Sequence, residues 1–162
     1  MRRAKWRGAK RVRPFQGNDV TAGRGLYSPQ ILAAAMDLVA YGWDDAHPLR
    51  GSARSRSCGS TLDVGMSLDA QGRIDALGIR PHACAVGQAA AAIFAKAAKG
   101  RTRASVTSAR ADIAGWLAGD AGLPDWPGIS LIAPAQAYPA RHGAILLAWD
   151  AALDALGQNI GR

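Results

Sequence analysis

Between residues 61 and 68 every second position is apolar. Leu62, Val64, Met66 and Leu68 alternate with Thr61, Asp63, Gly65 and Ser67, which is the period of a half-buried strand. Asp69-Ala70-Gln71-Gly72 supplies turn chemistry. A second run from Ile74 to about Ile79 reads as the hairpin partner, with Pro81 stopping the ladder. Residues 49–57 are polar and Arg-rich and predict a weak edge strand, the third member of the sheet. Upstream, Ser28 at N-cap and Pro29 at N1 start a helix. Its apolar face is Ile31, Leu32, Ala35, Met36 and Val39, and Gly42 ends it. Residues 85–99 are almost pure helix former, with bulk from Val86, Ile93 and Phe94 and a stop at Gly100. Further helices are expected over 108–118, with Ile113, Trp116 and Leu117 inward, and over roughly 140–156, on Ala144, Leu147, Ala151 and Ala155. The plan is α+β: a small three-stranded antiparallel sheet packed against several helices. The hairpin of 61–80 is expected to lay one face on the helix of 85–99.

With 162 residues, one domain with a real core is the default. The net charge of +8 changes the picture only once it is divided. Residues 1–20 hold seven basic side chains and one acid, and residues 21–162 hold thirteen and eleven. The basic character is therefore mostly a tail. The organisation read from this is a basic extension over 1–26, expected to be disordered and dispensable for folding, a folded body over 27–157 and a short tail over 158–162. A nucleic-acid or membrane contact, or an organelle-targeting role, is the lesser reading of the extension. The balanced body argues against nucleic acid. No apolar run approaches a membrane span and no signal peptide opens the chain, so a cytoplasmic protein without a membrane partner is expected. The sequence has no glutamate, and no pair of its aspartates is spaced as a general acid and base. It lacks a Gly-rich phosphate loop, a nucleophile elbow and an HExxH motif. The expectation is a binder or carrier, not an enzyme.

The chemistry then rests on two cysteines. Cys58 sits in Arg56-Ser57-Cys58-Gly59-Ser60, just ahead of the alternating run. Cys84 sits in His82-Ala83-Cys84-Ala85-Val86-Gly87-Gln88, where strand gives way to helix. A thiol at such a junction lies near the positive end of the helix, which lowers its pKa. Two cysteines in a reducing compartment do not make a disulfide framework, and their spacing matches no zinc knuckle. Either could instead be a small buried hydrophobe. Arg50, Arg54, Arg56 and Arg141 are either ordinary surface charge or a positive rim around the thiols. The tryptophans Trp43, Trp116, Trp126 and Trp149 read as packing residues.

The order of these motifs resembles the IscU/SufU family, also found as the N-terminal domain of NifU: scaffold proteins for iron–sulfur cluster assembly with a SufE/NifU-like fold. Ser57-Cys58-Gly59-Ser60 is similar to the family's Cys-Gly-Asp element, and Asp69-Ala70-Gln71-Gly72-Arg73-Ile74 to its hairpin turn. Ala83-Cys84-Ala85-Val86-Gly87-Gln88 is similar to its Gly-Cys-Ala junction. Tyr138-Pro139-Ala140-Arg141-His142-Gly143-Ala144 is similar to the start of its last helix. The resemblance covers roughly 27–156. It implies a protein that binds iron, a labile [2Fe-2S] cluster or zinc, takes sulfur from a cysteine desulfurase and passes its cargo to cluster-acceptor proteins, as a monomer or weak homodimer. Cys58 and Cys84 would be its cofactor-binding and metal-binding residues. The family aspartate is Ser60 here, and the third cysteine falls on Ala144. His142, two positions earlier at the same corner, is the candidate third metal ligand, since imidazole can replace thiolate. His82 and then His47 rank below it. The missing ligands also support an alternative: a ligand-depleted homologue acting as a non-cluster adaptor or regulator of the desulfurase machinery.

Overall fold

A computed structural model of the chain describes residues 25–158. Residues 1–24 of the basic extension and 159–162 of the tail lie outside the described residues. Leu26, two positions into the described chain, is already buried in the core. The Ser28 hydroxyl accepts the backbone N–H of Ile31 at 3.3 Å, and Pro29 opens α1 (Pro29–Met36), which tightens into a 3-10 segment (Asp37–Tyr41) and ends at Gly42. Three antiparallel strands follow in the order β1 (Leu49–Arg54), β2 (Thr61–Leu68) and β3 (Ile74–His82). Then come α2 (Ala85–Ala98), α3 (Arg103–Ala118), a 3-10 stretch (Ile129–Ala137) and α4 (Pro139–Gly157). The α+β plan read from the sequence is the observed one.

The inner face of the sheet carries Leu62, Val64 and Met66 at 0 % exposure, as the alternation predicts. Its cover differs from expectation. α4 lies across β1 and β2, and α2 meets the hairpin chiefly along β3. The reason lies in side-chain size. A Cβ on Gly51 of β1 would run into the Ala151 carbonyl and the Ala155 backbone of α4, so strand and helix meet almost backbone to backbone. α2 is sandwiched between α1 and α4 instead. Its Ala89, Ala90, Ala91 and Ala92 are all buried, as befits a helix with no polar face. At the far end of the core Phe94 stacks on Trp126, with ring centroids 5.7 Å apart, and Trp149 stands edge-on to both. Trp43, half-buried, lies under the Arg50 and Arg80 guanidiniums rather than in the core.

Three element readings need correction. α1 and the 3-10 segment after it bury Ile31, Ala34 and Leu38, while Leu32, Met36 and Val39 are exposed; the small Ala34 faces inward because α1 packs on the alanine-rich α2. β3 runs through Pro81 to His82, since an edge strand tolerates a missing N–H. α3 begins at Arg103, five residues early, because Thr102 and Ser105 form a reciprocal capping box with serine in the usual place of glutamate.

Candidate thiol site

After Arg54 the chain closes a tight turn. The Ser55 N–H donates to the Ser60 carbonyl at 2.8 Å, and the Gly59 N–H donates to the Ser55 carbonyl at 3.0 Å. Gly59 has φ +71°, a conformation that favours glycine. Cys58 sits in this turn, half-buried. Ser55 is buried at 3 % exposure, and its hydroxyl lies 3.3 Å from Cys58 Sγ, with the Ser60 hydroxyl at 3.1 Å. Ser57 donates its hydroxyl to the Ala140 carbonyl at 3.2 Å, which ties the turn to the first turn of α4. Gly143 makes this approach possible, because a Cβ there would collide with the Ser55 hydroxyl.

Cys84 is the N-cap residue of α2, and no side chain caps that helix end. The Gln88 amide steadies the junction by donating to the Ala83 carbonyl at 2.8 Å. Gly87, in the first turn of α2, faces Ala83 and Ala144. Thr61 pairs with His82 in the β2–β3 register. Cys58, three residues before Thr61, and Cys84, two after His82, therefore leave the same end of the sheet. Three segments converge there: the turn 55–60, the junction 83–87 and the first turn of α4.

At Cys58, partial burial raises the thiol pKa. Hydrogen bonds from the Ser55 and Ser60 hydroxyls, the Ser60 backbone N–H and the Arg141 charge outweigh it, and bring the thiol from 9.0 down to about 7. A thiolate accepts those bonds and a thiol does not need them, so they favour the charged form. Near neutral pH a substantial fraction is thiolate, the nucleophilic and metal-binding species.

The other expected ligands do not join it. The His142 ring places Nε2 2.8 Å from the Gln136 carbonyl, turned to the 3-10 stretch. His82 is exposed at the end of β3. His47 packs over Gly65 on the outer face of the sheet. Among the described residues no three histidine, cysteine or carboxylate side chains come together as a metal site. Ala144 is buried and supplies only carbon. The donor set of two thiols does not make the four-ligand site that clusters and structural zinc take. Sequence reasoning missed Ser55; the serine-rich run 55–60 around Cys58 was the available signal.

Solved structures share the whole fold. A nitrogen-fixing NifU-like protein (N-terminal) from Brucella abortus superposes with a TM-score of 0.74 at 27 % identity, over 82 % of this chain and 93 % of that chain. This chain has the NifU-like fold. A protein from Fervidobacterium islandicum AW-1, assigned as an iron–sulfur cluster assembly scaffold for the SUF system, shares the fold with a TM-score of 0.72 at 20 % identity, over 82 % and 97 %. No family model matches the sequence, and no curated protein matches it. No helix among the described residues is long and apolar enough to cross a membrane.

Proposed function

We propose that this chain is a scaffold-like carrier in iron–sulfur cluster assembly, with the Cys58 thiolate as its sulfur-accepting group and Cys84 as the second thiol of the same corner. The observation that carries the reading is Cys58 itself: a thiol held near neutrality by Ser55, Ser60 and Arg141 on a NifU-like fold. Sulfur acceptance needs a thiolate and no metal. The Cys58 thiolate attacks the terminal sulfur of a donor persulfide, R–S–SH. The new Cys58 S–S bond forms as the old one breaks, the proton stays on the transferred sulfur, and the donor leaves as R–S⁻. The donor in this reading is a cysteine desulfurase. Iron, [2Fe-2S] or zinc is cargo, and with two thiols on the chain the remaining ligands come from outside it.

The test combines sulfur transfer with anaerobic reconstitution. Incubation with a persulfide donor is expected to add one sulfur atom at Cys58, read by mass spectrometry, and Cys58→Ala abolishes the addition. After reconstitution with iron and sulfide, the double variant Ser60→Asp, Ala144→Cys is expected to retain more metal than the natural chain, because each new charged ligand replaces water or a neutral group. A second reading, the non-cluster adaptor, is favoured by Ala144, buried against Gly87 where the family resemblance expects a ligand. It stands if Cys58 takes no sulfur and only the doubly restored variant retains metal; if neither protein retains metal, the corner is not a ligand site at all.

A further inference from the structure

Most cations of the described chain hold an acid. Six of the eleven lysines and arginines at 25–158 do so, from Arg50 with Asp45 to Arg110 with Asp150, Arg101 lies over Trp126, and Arg103, also without an ion pair among the described residues, opens α3 away from the thiols. Arg54, Arg56 and Arg141 break the rule. None of the three makes an ion pair among the described residues, and all three flank Cys58: Arg54 and Arg56 at the turn, both exposed, and Arg141 in the first turn of α4, close enough to act on the thiol through its charge. The segments that build the corner, 53–61, 82–92 and 138–148, contain no acid. α2 and α4 both begin there without an acidic residue in the first turn, although an acid at that position stabilises a helix. The positive field at the corner is therefore left unneutralised within the fold.

We propose that this corner is an electrostatic docking surface for an acidic segment of a partner protein, laid across Cys58 by Arg54, Arg56 and Arg141. Three guanidiniums borne by the end of β1, the turn after it and the first turn of α4 suit the carboxylates of a short acidic stretch, each in planar fork geometry. They do not form the extended stripe that tracks a phosphate backbone. The inference concerns the same corner as the scaffold reading but rests on its charge. A chain that takes neither sulfur nor metal would leave it standing.

The probe is thiol–disulfide exchange with three short peptides, each carrying one activated cysteine disulfide flanked by Asp, Ser or Lys. The Cys58 thiolate attacks the peptide sulfur, the mixed disulfide forms, and the activating group leaves as a thiolate. Rates are read on the full chain near pH 7, with the modified cysteine mapped by mass spectrometry. The Asp peptide is expected to react roughly tenfold or more faster than the Lys peptide at low salt, with the ratio shrinking at high salt. The variant Arg54→Ser, Arg56→Ser, Arg141→Ser is expected to bring the ratio close to unity. Using the ratio cancels the effect of Arg141 on thiolate formation itself. Equal rates for the three peptides in the natural chain overturn the proposal, as does a preference that survives the triple substitution. A single-stranded oligonucleotide that shields Cys58 while the Asp peptide gains no advantage overturns it in favour of nucleic acid.

Discussion

Cys58 carries its chemistry because five contributions meet on one atom. Burial works against the thiolate, and two hydroxyls, a backbone N–H and a guanidinium work for it. The alkylation rate of Cys58 is expected to rise with pH around a midpoint of about 7. Ser55→Ala with Ser60→Ala should move that midpoint up toward 9.0, because only the bonds that favour the thiolate are lost. A midpoint unchanged by the double substitution would contradict the assignment. The same shift contributes stability that is full above the unfolded thiol's pKa and fades as pH falls through the folded value. The sequence pointed to Cys84, at the strand-to-helix junction, as the activated thiol, and left Ser55 unnoticed. Its inward position continues the alternation that turns Gly51 and Ala53 inward, but in a polar, Arg-rich run that alternation carries no apolar signal. His142 shows the converse: proximity in sequence to Ala144 placed it at the right corner, while a backbone carbonyl in a 3-10 stretch absent from the pattern claims its ring.

At the scale of elements, strands and long helices were legible because their apolar period is regular. The hairpin, α2 and α4 emerge within a few residues of their expected ends. What periodicity could not reveal was which helix covers the sheet. Two alanine-rich helices compete for it, and a single glycine decides. Gly51→Val is expected to destabilise the chain by about 1–3 kcal/mol or more, read by urea unfolding, because a side chain there meets α4 backbone with nowhere to move. Gly42→Ala serves as the control, since a Cβ there meets nothing within 4 Å; its effect should stay within about 0.5 kcal/mol. If Gly51→Val proves as mild as Gly42→Ala, the close packing of β1 on α4 is wrong.

Across the whole molecule α4 is the element that ties distant parts together. Its first turn receives the Ser57 hydroxyl. Its last turns reach the outer edge of β1, where Asp154 accepts the Ser52 N–H at 2.9 Å, and just beyond them Gln158 donates to the Arg50 carbonyl at 2.7 Å. Between those ends Arg110 of α3 clasps Asp150. One helix thus closes the thiol turn and seals the strand leading into it. Seen in order of synthesis, this means that Cys58 is made early and completed late. Until the final helix has been made and docked, the turn lacks the Arg141 charge and its tie at Ala140. A chain ended at residue 138 is expected to alkylate at Cys58 with a midpoint above about 7, and an unchanged midpoint in that fragment would contradict it. A half-made chain would therefore present a slower thiol, less ready for sulfur offered to it during translation.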